Sequence, residues 1–202
     1  PLHNWLPDAH AEGPTPISAV LSGLLLNVAL YAVIRCKVLV EGSLDSRLAG
    51  NLMMGFGLAS VVVGAFLITR QRDIKRMFAY SSIEHMGIIT FAFGMGGAIA
   101  NFAALLHMTV HSLTKSAIFY TVGHAAQKAG TQNMDDIRGL VVVSPTIGWG
   151  LILGSLAILG MPPFGVFASE FLILTTAMRE QPWATPILLV SLGIAFAAIL
   201  KR

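Results

Sequence analysis

The segment LLHMTVHSLTKSAIFY, residues 105–120, lies inside a long apolar run and carries His107, His111 and Lys115. Each of the three is four residues from the next, about one turn of an α-helix. A helix here lines them up along one face, and the row rises about 12 Å from His107 to Lys115, within a hydrocarbon core roughly 30 Å thick. A charged lysine at such depth costs several kcal/mol, so it is expected to face the bundle interior and to have a partner. Burial disfavours the charged form of a lysine, and a carboxylate nearby favours it. Histidines pass protons on either side of neutrality. The row therefore has the chemistry of a proton path. A structural polar network that holds helices together is the alternative reading.

The rest of the chain supplies the membrane context. It is 55% hydrophobic and only 11% charged, with a mean hydropathy of +0.74, against roughly 25% charged residues in an average soluble domain. Apolar runs of about 20 residues recur along its length, the pattern of a multi-span membrane protein. The net charge of +3 comes from short loops rather than from a basic stripe with interleaved aromatics, which excludes nucleic-acid recognition. A single cysteine, Cys36, allows neither an internal disulfide nor a cysteine-held iron–sulfur cluster. With Pro1 at one end and Lys201-Arg202 directly after an apolar run at the other, the expectation is a fragment of a longer chain.

Apolar spans are read at about 15–36, 48–69, 76–96, 101–126, 144–178 and 183–200. The fifth is too long for one simple helix and contains GMPPFG, 160–165, where two prolines remove backbone donors and are expected to break it. A broken helix at membrane depth is tolerated where protein or a water-filled cavity satisfies the freed groups. Arg70, Arg72, Lys75, Arg76, Lys128, Arg138, Lys201 and Arg202 fall at one set of span ends, and Arg35, Lys37, Arg47 and Arg179 at the other. The positive-inside rule puts the first set in the cytoplasm. Residues 1–14 then form a cytoplasmic-side loop, and 15–202 the membrane domain.

Two carboxylates join the candidate path. Glu170, in FASEFLIL, follows the helix break by less than two turns, where an intramembrane carboxylate beside unwound backbone suits a proton or cation site. Glu84, next to His85 in SSIEHMG, comes out roughly 13 Å deep, level with Lys115, and is a candidate partner for that lysine. Structural ion pairing is the competing role for both. His3, Asp8, His10 and Glu12 match no standard metal spacing and read as a folded loop. His124 falls on the opposite helix face from Lys115. GLILG, 150–154, marks a close helix contact.

The stretches PLHNWLPDAHAEGPTPISA, DIKRMFAYSSIEHMG, HMTVHSLTKSAIFY and GMPPFGVFASEF together resemble the antiporter-like membrane subunits of respiratory complex I, multi-subunit Na+/H+ antiporters and membrane-bound hydrogenases. Glu84 in SSIEHMG, with HMTVHSLTK and NMDDIRGL, is most similar to the hydrogenase-4 branch. The resemblance implies an all-α polytopic transmembrane bundle of two inverted repeats, each with a broken helix and a proton half-channel. Residues 48–200 would be nearly all of the second repeat, and 15–36 the last helix of the first. It also implies that Lys115 moves protons in the second half-channel, that His107 and His111 flank it, and that Glu170 is the terminal residue on the broken helix. Many members carry a central Lys or His where this chain has Asn27 and Ser22, neither of which holds a proton near neutral pH.

The expectation is thus a proton-translocating, non-catalytic subunit of a redox-driven complex in a bacterial or archaeal cell membrane, of the formate hydrogenlyase type. Its partners would be other membrane and soluble subunits, lipid and protons, with Na+ as the alternative coupling ion. No cofactor and no metal are expected in this chain. A complex I or Na+/H+ antiporter subunit is the rival within transport, and a structural membrane anchor the rival outside it.

Overall fold

The computed structural model describes residues 4–44 and 47–201; His3 and Arg202 lie outside them. Ten α-helices and one π-turn follow in order among the described residues. They are α1 (Trp5–Glu12), α2 (Thr15–Val20), the π-turn Leu21–Leu25, α3 (Leu26–Leu44), α4 (Leu48–Ile68) and α5 (Ile74–Met95). Then come α6 (Ala98–Ala129), α7 (Leu140–Val143), α8 (Pro145–Ile158), α9 (Gly165–Glu180) and α10 (Thr185–Leu200). The helix ends follow the sequence. Asp73 caps α5 by accepting a hydrogen bond from the Arg76 amide at 2.9 Å, satisfying one of the donors a helix start leaves free. Gly96 and Gly97, both at positive φ, turn the chain back into α6 where a side chain would be strained.

Burial is inverted relative to a soluble protein. Leu113 is 70% exposed, Leu39 68% and Phe56 62%, whereas Lys115, His107 and His111 are fully buried. Apolar groups face outward and the polar ones inward, as lipid solvent requires. The predicted fifth span is two helices, α8 and α9, separated at 159–164, at the prolines expected to break it. The span predicted at 15–36 runs further, Thr15–Ser43, with the π-turn inside it. Gly150 and Gly154 both face α6, at Thr121 and Ile118.

Residues 5–12, expected as part of a loop, form a helix whose Leu6, His10 and Ala11 are buried. Asp8 pairs with Arg76 at 3.1 Å, and the Lys75 ammonium donates to the Gly13 carbonyl at 3.2 Å. The turn after α6 joins the same end through Ile74 N–H to Gln132 C=O, 3.0 Å, and Met134 N–H to Arg72 C=O, 2.9 Å. One end of the bundle is thereby tied together by backbone bonds rather than left as free loops.

The helix that carries Glu84 and His85 is set by glycine. Gly50, Gly57 and Gly64 recur every seventh residue on α4, opposite Gly87 and Gly94 on α5. A Cβ on Gly87 would lie 2.7 Å from the Gly57 carbonyl oxygen and 2.8 Å from the Val61 nitrogen, so the two backbones touch. Gly64 abuts the Glu84 backbone in the same way. Gly87→Leu is expected to force the helices apart and to cost about 3 kcal/mol or more, read as a lowered thermal transition in detergent. Gly55→Leu, on the open face of α4 with nothing within 4 Å, is expected to change stability by less than about 0.5 kcal/mol. Equal effects of the two would contradict the seam.

Candidate proton-relay site

The predicted row lies on the inner face of α6. His107, His111 and Lys115 are all fully buried, while His124 is exposed. Across from them α5 presents Phe78, Ser81, Ser82, Glu84 and His85, and α9 brings Ser169 and Glu170. The four ionisable or protonatable groups inferred alongside Lys115 thus come from three helices into one interior.

Lys115 Nζ donates to the Phe78 carbonyl at 2.8 Å and sits 5.5 Å from the centre of the Phe78 ring. Phe78 O also accepts from the Ser82 hydroxyl at 3.2 Å. Among the described residues no ion pair joins Lys115 to Glu84, although the two charges are within electrostatic reach. Glu84 Oε1 has no protein hydrogen-bond partner. The lysine is held by a neutral dipole, with the carboxylate nearby but not bound to it.

Two of the histidines are linked toward the helix break, and the third stacks beside them. His107 Nδ1 lies 2.8 Å from Ser169 Oγ, and its Nε2 lies 3.0 Å from His85 Nδ1. His85 Nδ1 is in turn 3.6 Å from Glu170 Oε1. The His111 ring centre is 5.4 Å from that of His85 and 6.4 Å from that of His107, and both its ring nitrogens lack protein partners. A neutral imidazole takes a proton on one nitrogen and releases one from the other, which is the chemistry a proton relay would use. His85 is the junction, contacting both His107 and Glu170. Sequence reasoning assigns a role to its neighbour Glu84 and none to His85.

The break in α8–α9 shapes the far end. Glu170 is buried, and a Cβ on Gly160 would run into its carboxylate. Gly160 also has φ +64, so glycine serves here both the turn and the space beside the carboxylate. The Ile158 backbone, at the last turn of α8, lies beside His85. A cavity of about 250 Å³ lined by Ser81, Glu84, His85, Ile158 and Glu170 adjoins the break.

Ser22 and Asn27 are polar but do not hold a proton near neutral pH. Ser22, in the π-turn, shares a 2.7 Å hydrogen bond with Ser82, and Asn27 donates to Ser112 Oγ. Ser22 meets α5 and Asn27 meets α6, so this face carries neutral hydrogen bonds. His10 reaches the bundle from α1, its ring centre 4.6 Å from that of Phe119. Burial, then the Lys115 and Lys75 charges, push its imidazole down to about 4, leaving it neutral near pH 7.

Residues 1–196 match the family described as "NADH:quinone oxidoreductase/Mrp antiporter, TM". The chain is 59% identical over its full 202 residues to a hydrogenase-4 component F homolog of Methylacidiphilum infernorum, covering 42% of that protein. It is 33% identical over 199 residues to NADH-quinone oxidoreductase subunit M of Escherichia coli K12, covering 98% of this chain and 38% of the relative. Among solved structures, an archaeal membrane-bound sulfane sulfur reductase aligns over the whole chain with a TM-score of 0.90 at 28% identity, covering 42% of that chain. Respiratory complex I from Thermus thermophilus aligns over the whole chain with a TM-score of 0.87 at 26% identity, covering 43% of the matched chain. The chain spans less than half the length of the relatives it matches.

Proposed function

Because the chain belongs to the NADH:quinone oxidoreductase/Mrp antiporter transmembrane family, we propose that it is the proton-conducting part of a membrane subunit in a redox-driven, hydrogenase-type complex. The observation that carries this reading is the buried line of exchangeable groups: Lys115, His111, His107 and His85, ending at Glu170 beside a broken helix. Membrane interiors do not hold such groups without use for them. A structural anchor needs none of them, and their open hydrogen-bonding positions at His111, Glu84 and Glu170 fit exchange better than static gluing.

In this proposal Lys115 is the switch. It binds a proton when the Glu84 charge favours its ammonium and gives it up when that influence is removed. His111 and His107 pass the proton to His85, whose Nδ1 faces both His107 Nε2 and Glu170 Oε1 and hands it on to the carboxylate. Residues 1–14 lie on the cytoplasmic side, 15–202 form the conducting domain, and the remaining membrane and soluble subunits supply the redox chemistry. The 59% identity to a hydrogenase-4 component F homolog favours a hydrogenase over a quinone reductase as the partner enzyme.

The test uses the full-length subunit in its complex, in sealed vesicles without Na+. Adding the electron donor is expected to build a pH gradient that a protonophore collapses. Electron transfer with no gradient would reject proton transport, and a gradient that appears only with Na+ would assign the coupled ion to sodium.

A further inference from the structure

We propose that His85, His107 and Glu170 form a binding site for one borderline divalent cation of the Zn2+ class, and that its occupation closes the relay. One ligand atom from each residue can be chosen so that all lie within 4.8 Å of one another, and all three residues are buried. The His85 Nδ1–His107 Nε2 separation is 3.0 Å and the His85 Nδ1–Glu170 Oε1 separation 3.6 Å. Two ligand atoms sharing a tetrahedral zinc at its usual bond lengths are about 3.4 Å apart. These two pairs need shifts of only a few tenths of an ångström to share one ion, and the third pair, His107 with Glu170, lies within 4.8 Å and closes by about 1.4 Å at most.

The surroundings fit a metal as well. Ligand histidines are usually oriented by a bond to their other ring nitrogen. His107 Nδ1 meets Ser169 Oγ at 2.8 Å, leaving Nε2 to face the site. Two neutral imidazoles and one carboxylate leave a divalent ion one charge short of neutral, and Glu84 lines the same cavity to supply the second negative charge. Lys115 is the positive group that opposes binding. Imidazole and carboxylate donors suit Zn2+, whereas Mg2+ and Ca2+ prefer an all-oxygen shell. The cavity of about 250 Å³ beside Glu170 gives a hydrated ion room beside its ligands. Three protein ligands leave a fourth position open. No sequence motif announces the site, because its ligands come from α5, α6 and α9.

A bound ion occupies the nitrogens and carboxylate oxygen that the relay uses, so the effect on transport rests on the proposed proton path, while binding itself does not. The test titrates the intact complex with Co2+ and then Zn2+. Tetrahedral Co2+ absorbs strongly in the visible, and Zn2+ is expected to displace it. His85→Gln and Glu170→Gln, each keeping size and polarity, are expected to weaken the signal by about tenfold or more. Wild-type vesicles are expected to lose proton translocation over the same Zn2+ range. No visible band, or a band unchanged in both variants, overturns the site. A bound ion that leaves translocation untouched overturns the closure. Vesicles that move no protons before metal is added, yet show the Co2+ band, would sink the proton-path reading and leave the binding site standing.

Discussion

Lys115→Met is expected to lower proton translocation through this subunit on the order of a hundredfold, the scale of losing a positioned acid–base group, while the subunit still inserts and assembles. Methionine is unbranched and fills the volume of the lysine stem without a protonatable atom. Folding should tolerate the change because the Phe78 carbonyl keeps the Ser82 hydroxyl as a donor, so no orphaned acceptor results. Removing an ionisable group from a fully buried position also removes the cost of burying it. A structural role for Lys115 makes the opposite forecast: poor assembly, with translocation normal in whatever protein remains. Subunit level in the membrane and the rate of vesicle pH change separate the two.

Glu170→Gln is the second large effect, expected to be of the same order. The amide keeps the shape of the side chain and its ability to hydrogen-bond, and it fits the space left by Gly160. It does not carry a proton at neutral pH. The His85–Glu170 step, 3.6 Å in the structure, is then closed while His107 and His85 remain 3.0 Å apart. Translocation should fall with little change in thermal stability. Near-normal translocation in this variant would remove Glu170 from the path and point to another exit from His85.

The α6 row is legible in the amino-acid sequence because its period is that of a helix and its residues are chemically unlike their surroundings. One spacing fixes three positions on one face. The break at GMPPFG is equally legible, since proline removes a donor whatever the tertiary context. The rotation of α5 is not. Glu84 and His85 are consecutive, so about 100° apart around a helix, and α5 is buried around most of its circumference. No polar stripe marks which of the two faces Lys115 and which faces the helix break. The answer lies in the glycines at 50, 57, 64, 87 and 94, whose contacts set how α5 sits on α4. Their seven-residue repeat is visible in the chain, but a glycine repeat within apolar helices does not say which partner it meets. Residues 5–12 read as loop because their polar groups suggest solvent. Asp8 instead pairs with Arg76, and His10 packs on Phe119, partners distant in sequence.

If Lys115, the histidines and Glu170 carry protons driven by electron transfer elsewhere in the complex, the coupling ratio must depend on them. The most direct measurement is the number of protons moved per electron pair in sealed vesicles, comparing wild type with Lys115→Met at matched electron flux. A lower ratio is expected in the variant, by the share of protons that this subunit moves. An unchanged ratio at equal electron flux would contradict a proton path through Lys115.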